Sequence, residues 1–524
     1  MSTVLKACIR KIWRRLQGTT LVVAAVLGAV SITPLSALAV EPSKGGTLTI
    51  ALEADFPGFD PLSMGSFVDR MVAMSFYEML MELDEQGNVV PHLAKSLTAS
   101  EDGTVYTMQL REGIKFHDGT PFNAEAVVFN FRRLMDPDRG CRCAAAVKPV
   151  ESVTKTGPYT VEFHLEAPNA AFPADLADVP GMQPSPTAIR KAEEAGKTYG
   201  GSPVGTGPFR LANWQRGISM KVERNPDYWQ DGLPHLDSVI YRPIPDEQSR
   251  MASLIAGDIQ LSVVPAPQDV AATKAGQTNV NLVEAPGLGS SFVMFNAQRA
   301  PVSDPGVRQA LFHAINRPLI LKTVLRGIYS EATNSPFGPG MEAGRRDVDF
   351  PEYDPAKAKA LLAEYGKPVE FVLSVSATPH SRLLAQVLQQ MWKKVGVEVR
   401  IKEFEQLTLI RDSIRHDFDA MLYRWPGRAD PDQNSYQFFH SKSPRNYTQY
   451  ANPEMDKLLE KGRQSLDMGT RLDIYEQVAE FLAKDGPYLF LYPTTTFFLT
   501  SPKLHGLPPI PDGLPRVGYV WLEQ

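Results

Sequence analysis

Between Trp425 and Asn434 the chain gathers an aromatic ring, a permanent cation, two carboxylates and a carboxamide, carried by Trp425, Arg428, Asp430, Asp432 and Asn434. Such a set can grip a small anionic or zwitterionic solute. A guanidinium cannot lose its proton and presents a planar fork to a carboxylate, and an indole presents a flat face to an aliphatic or peptide surface. Asp430 or Asp432 can hold that guanidinium in place or take a ligand amine, although Asp-Pro-Asp also reads as turn chemistry, the preferred role for Asp432. Tyr423, just upstream, is counted with the site. Two acids can exchange protons, but no nucleophile or metal-ligand cluster stands beside them, so no catalytic residue is assigned.

The elements around this loop must place it. Alternation at Phe418, Ala420 and Leu422 predicts a strand that stops at Trp425-Pro426-Gly427, where proline withdraws a ladder donor and glycine allows a turn. Strands are also predicted over Val369 to Val375, at Val397, Val399 and Ile401, and over Tyr488 to Tyr492. Helical spacing runs from Leu383 to Val395, Phe404 to Ile414 and Ile474 to Leu482. Alternating strands and helices predict a largely parallel sheet, with ligand outside the carboxyl ends of its strands. Asp304-Pro305, Asp354-Pro355 and Asn452-Pro453 each supply a helix cap followed by proline at the first helical position. In the N-terminal half, Leu48, Ile50 and Leu52 mark a strand, Met71 to Met81 has helical spacing, Tyr106 to Leu110 alternates, and Asn123 caps a helix carrying Phe131.

At 524 residues the chain is expected to form two or three domains. Lys6, Arg10, Lys11, Arg14 and Arg15 precede a short apolar core from Leu21 to Val30 and the small residues Ala37-Leu38-Ala39. This is the pattern of a secretory leader cleaved after Ala39, and it predicts a periplasmic protein. Losing residues 1–39 removes those five cations and no carboxylate, so the formal charge moves from −5 to −10. Nucleic acid and anionic membrane surfaces are poor partners for such a protein. Cys141 and Cys143 remain, spaced to form either a small disulfide or a pair of free or weakly bridged thiols. The nine histidines include no i, i+3 or i, i+4 pair, and no metal or cofactor is expected. Nucleophile-elbow, phosphate-loop and dinucleotide fingerprints are absent, so the chain reads as no enzyme.

Leu93 to Phe129 carries S-L-T-A-S-E-D-G-T-V-Y-T-M-Q-L-R-E-G-I-K-F-H-D-G-T-P-F-N-A-E-A-V-V-F, and Val204 to Phe209, Arg224 to Trp229 and Asp304 to Leu311 continue in order. Together these resemble the extracytoplasmic solute-binding proteins of family 5, the peptide, glutathione, nickel and opine receptors of ABC importers. The resemblance implies an α/β clamshell of the type II (cluster C) periplasmic-binding-protein class, a monomer, with an extra subdomain in its first lobe. Lobe I is expected over 44–290, with an inserted subdomain at about 85–200, and again over 497–524; lobe II covers 291–496. It implies a peptide-like or carboxylate solute as ligand and permease subunits as partners. It also places ligand contacts in the loop after the first strand, so Met64, Gly65, Ser66 and Phe67 are expected to form the opposing wall, although Phe67 reads equally as core. Peptide-binding members resemble W-x-x-D at the other wall, and this chain has Arg428 where that aspartate is expected. A cation cannot pair with a peptide ammonium, so a ligand carboxylate near Arg428 is predicted. The alternatives are a receptor for a chelated, nickel-type metal and a secreted hydrolase.

Overall fold

The computed structural model describes residues 41–523, so the leader expected over 1–39 lies outside the described residues. From Pro42 onward the chain forms one compact unit, a two-lobed α/β fold built on two principal sheets. The larger has seven strands in the order Asn281–Ala285, Thr496–Thr500, Leu261–Val263, Thr47–Leu52, Ser238–Pro243, Ser219–Arg224 and Phe209–Gln215. Thr47–Leu52 runs parallel to both of its neighbours. Leu48, Ile50 and Leu52 are fully buried on the face the alternation predicts, and Ala51 is buried on the other, where it packs with Leu254 and Ile259. A separate four-stranded antiparallel sheet spans Ala94–Ala99 to Thr160–Leu165. The helix Ala124–Met135, capped by Asn123, sets Phe131 edge-on against Phe163 of that sheet.

The second principal sheet has five strands in the order Glu398–Phe404, Glu370–Ser376, Ala420–Trp425, Ser290–Phe295 and Tyr488–Pro493. Its first three are parallel, as helix-strand alternation predicts, but Ser290–Phe295 is antiparallel to both neighbours. That strand arrives directly from the larger sheet rather than through a crossover helix, so the rule for parallel units does not bind it. Asp304, Asp354 and Asn452 all cap helices with proline in the first turn. The helical spacing from Met71 to Met81 misleads: the helix is only Phe67–Ala73. Beyond it, Gly207 and Phe209 donate to the carbonyls of Phe76 and Ser75, drawing that backbone out of the helix.

The chain passes between the two principal sheets twice, from Ala285 to Ser290 and from Pro493 to Thr496. Main chain meets main chain there. A Cβ added to Gly287, Gly338 or Gly340 would stand 2.1–2.3 Å from a backbone oxygen, and one on Gly289 would stand 2.2 Å from the Trp425 carbonyl.

Candidate functional site

The segment expected as a loop from Trp425 to Asn434 is a short turn that enters the helix Pro431–Phe439, and Asn434, on that helix, holds the turn. Asn434 is fully buried. Its Oδ1 accepts from Trp425 Nε1 and from the Arg428 backbone N–H, both at 2.8 Å, while its Nδ2 donates to the carbonyls of Arg428 and Asp430. A single amide thus satisfies both ends of the turn. Gly427 sits at φ +88° with its backbone against Leu288 and Gly289, where a Cβ would be 2.2 Å from the Leu288 carbonyl carbon.

Asp430 is placed differently from the ligand role assigned to it. It caps the helix Pro431–Phe439, accepting from the Asp432 N–H, with Gln433 closing a capping box. Arg471 then takes both of its oxygens, at 2.5 and 2.8 Å. With these three hydrogen bonds and almost no exposure, Asp430 is a frame residue and is not open to a ligand amine. Asp432 lies in the first turn of that helix, yet it is buried rather than solvated and pairs with Arg463 at 2.7 Å.

Arg428 leaves this frame and meets the other half of the molecule. Its Nε lies 2.7 Å from Asp178 Oδ2, its Nη1 donates to the Gly427 carbonyl, and its Cζ stands 4.9 Å from the Trp425 ring centroid. Nη2 makes no hydrogen bond among the described residues. Burial lowers the guanidinium pKa to about 10, against the pull of Asp178, so the group stays charged at neutral pH. The Asp178 carboxylate is buried, which alone would raise it, but Arg70 and Arg428 hold it below the ordinary range. Arg70, on the helix Phe67–Ala73, approaches Asp178 Oδ1 at 2.9 Å off the N–H axis, an ion contact rather than a hydrogen bond. Beside it, Gln433 Nε2 donates to Asp175 Oδ1 at 2.6 Å, and burial pushes that carboxyl well above its usual value. Neither aspartate was marked by sequence, because an acid in Ala-Asp-Leu-Ala-Asp shows no sign of a partner 250 residues away.

Trp425 is half-buried, with its ring edge-on to Phe438 and its other side under Arg428. Tyr423 stacks on Phe292 and tilts against Tyr447, and burial raises its phenol, which stays neutral. On the opposing wall Met64 has to be corrected: it is 2 % exposed and belongs to the core under the seven-stranded sheet. Gly65 and Ser66 are exposed, but their N–H groups point to Asp69 Oδ2 at 3.5 and 3.2 Å, because Ser66 and Asp69 form a capping box for the helix Phe67–Ala73. Phe67 is half-buried against the core. Arg142 covers this turn. Its backbone N–H donates to the Leu62 carbonyl, and a Cβ on Gly65 would stand 2.9 Å from its Cζ. Cys141 and Cys143, on either side of it, are joined by a disulfide, one of the two states their spacing allows.

No group of three or more metal-ligating side chains occurs among the described residues, and none of their helices is long and apolar enough to cross a membrane. What these residues assemble is a polar seam between the two lobes, built from oriented arginines and the turn that carries Trp425. The fold has known relatives. The model of the bacterial extracellular solute-binding proteins, family 5, matches residues 88–447. A glutathione-binding protein, GsiB, of Shigella dysenteriae serotype 1 is 30% identical over 478 residues, covering 89% of this chain and 92% of its own. Among solved structures, the oligopeptide-binding protein AppA of Bacillus subtilis, in complex with a nonapeptide, superposes with a TM-score of 0.79 at 29% identity over 92% of this chain and 100% of its own. The ABC transporter-associated periplasmic binding protein DppA of Helicobacter pylori, in complex with the peptide STSA, does so at 0.82 and 27%, over 92% and 99%.

Proposed function

The chain belongs to the bacterial extracellular solute-binding proteins, family 5, and from that premise we propose that it is the receptor of an ABC importer that holds a peptide-like or other carboxylate-bearing solute between its lobes. Membrane permease subunits would receive the solute. Export through the leader at 1–39 and residence in the periplasm belong to the same reading, as does the division into lobe I (44–290 and 497–524, with its subdomain at about 85–200) and lobe II (291–496). The division is supported by sheet membership, since the chain leaves the seven-stranded sheet after Ala285 and rejoins it at Thr496.

One observation carries the ligand class. Arg428 is oriented at two of its nitrogens, by Asp178 and by Gly427, and keeps the third unbonded beside the Trp425 ring. A guanidinium fixed in this way suits one carboxylate oxygen and has nothing to offer an ammonium. Arg428 is accordingly the carboxylate partner, and Trp425, Tyr423, Ser66, Gly65 and Phe67 are the walls. Calorimetry on the full mature chain tests this with glutathione, dipeptides and their carboxamide analogues. We expect the acids to bind, the amides to lose affinity, and Arg428→Ala to weaken the acids by roughly ten- to a hundredfold, the range of one charge-assisted hydrogen bond. Equal binding of acid and amide, or full affinity in Arg428→Ala, would overturn the assignment.

A further inference from the structure

Arg424 stands on the other face of the strand that delivers Trp425. It is exposed and makes no hydrogen bond or ion pair among the described residues. Cross-strand register puts Arg424 opposite Ser291 and Ser291 opposite Tyr492, so the three share one face of the five-stranded sheet. His380 Nε2 lies 3.0 Å from the Tyr492 hydroxyl, and the Tyr329 ring lies 5.4 Å from the Tyr492 ring. The charge of Arg424 bears on Tyr329, His380 and Tyr492 alike.

The seven-stranded sheet answers with Glu53, the first residue past the carboxyl end of Thr47–Leu52. Glu53 is half-buried, and neither oxygen has a hydrogen bond or ion-pair partner among the described residues. Burial raises its carboxyl, while Arg424, acting across the lobe junction, is the strongest of the cations that oppose this. A partly buried carboxylate without a partner is costly. The seam's other cations are engaged: Arg70 and Arg428 on Asp178, Arg463 on Asp432, and Arg471 on Asp430. Glu53 and Arg424 are thus two bare poles of opposite sign, one on each principal sheet, where the central strands of both end.

We propose that Glu53 and Arg424 form a second subsite that takes an intact α-amino-acid end of the solute, the ammonium on Glu53 and the carboxylate on Arg424, against the Tyr329–Tyr492 wall. This rests on the receptor reading above and narrows its ligand class. With Arg428 holding another carboxylate, the complement is a solute bearing one ammonium and two carboxylates, with ammonium and one carboxylate on the same carbon. A γ-linked glutamyl peptide has that arrangement. An α-linked peptide does not, because its first residue has spent the α-carboxyl on the peptide bond.

The isomers γ-Glu-Cys-Gly and α-Glu-Cys-Gly have the same composition and formal charge, so calorimetry with the pair on the full mature chain isolates the geometry. We expect the γ isomer to bind at least tenfold more tightly to the wild type. Glu53→Gln and Arg424→Gln, which break no bond within the protein, should abolish that preference, while Arg428→Ala should weaken both isomers alike. Thermal unfolding of each variant verifies its fold. Equal binding of the isomers to the wild type, or a preference that survives in Glu53→Gln and Arg424→Gln, overturns the subsite and leaves the receptor reading standing. If neither isomer nor any other carboxylate solute binds, both fall together.

Discussion

Asp430 and Arg428 are two residues apart and are bound in opposite ways. Asp430 is closed into a cap and a bidentate pair with Arg471, and both partners are almost wholly buried. Removing one member of such a pair strands a charge in a poorly hydrated place, at a cost of about 3–5 kcal/mol. Asp430→Asn should therefore lower stability by that order in urea unfolding, and a loss below about 1 kcal/mol would show the pair to be peripheral. Half of this was legible. Asp430-Pro431-Asp432-Gln433 has the same acid-proline helix start that sequence marks correctly at Asp304 and Asp354, together with a capping-box glutamine. The guanidinium that completes it comes from Arg471, on a helix that begins at Met468, and local spacing holds no trace of that pairing. Arg424 was hidden for the opposite reason: a lone charge at a strand end looks like ordinary solvated surface.

At the scale of elements, the hairpin of Met81–Leu83 and Val89–Pro91 ends on His92, whose two ring nitrogens lie 3.0 Å from Glu78 and 2.8 Å from Glu82. Burial alone would depress the imidazole, but hydrogen bonds to the two carboxylates raise it to about 9. Its folded value thus exceeds the unfolded one near 6.5. The stabilisation is complete below about pH 6.5 and is lost as pH rises through about 9, on the order of 3 kcal/mol. Unfolding free energies of wild type and His92→Gln should converge between pH 6.5 and 9, and parallel profiles would sink the idea. Glu78 is also the acceptor for Tyr228 and Trp229, which are thus anchored through their polar tips. Element types in the second half were mostly legible because strands and helices alternate there with clear periodicity. The antiparallel Ser290–Phe295 strand was not, because its direction is set by where the chain crosses between sheets and not by its own residues.

Across the whole molecule, Asp178 ties Arg70 and Arg428 together while Gln433 reaches Asp175 and the Ala170 N–H donates to the Arg463 carbonyl. These contacts hold the two sides of the seam together, and a solute that bridges the same two sides would add to them. Asp178→Asn would leave two guanidiniums facing each other without their shared anion. We expect small-angle scattering of the ligand-free variant to show a larger radius of gyration than the wild type. Affinity for both glutamyl isomers should fall by a common factor, roughly tenfold. An unchanged radius, or a loss confined to one isomer, would assign Asp178 a different part. The joint beneath this seam is made of peptide backbone, with Gly287, Gly289, Gly338 and Gly340 packed where no side chain fits. A joint of that kind gives evolution almost nothing to adjust. New preferences would have to arise at the rims, in turns such as 426–430 and at bare positions such as 53 and 424, because any side chain added to the axle beneath them would collide with main chain.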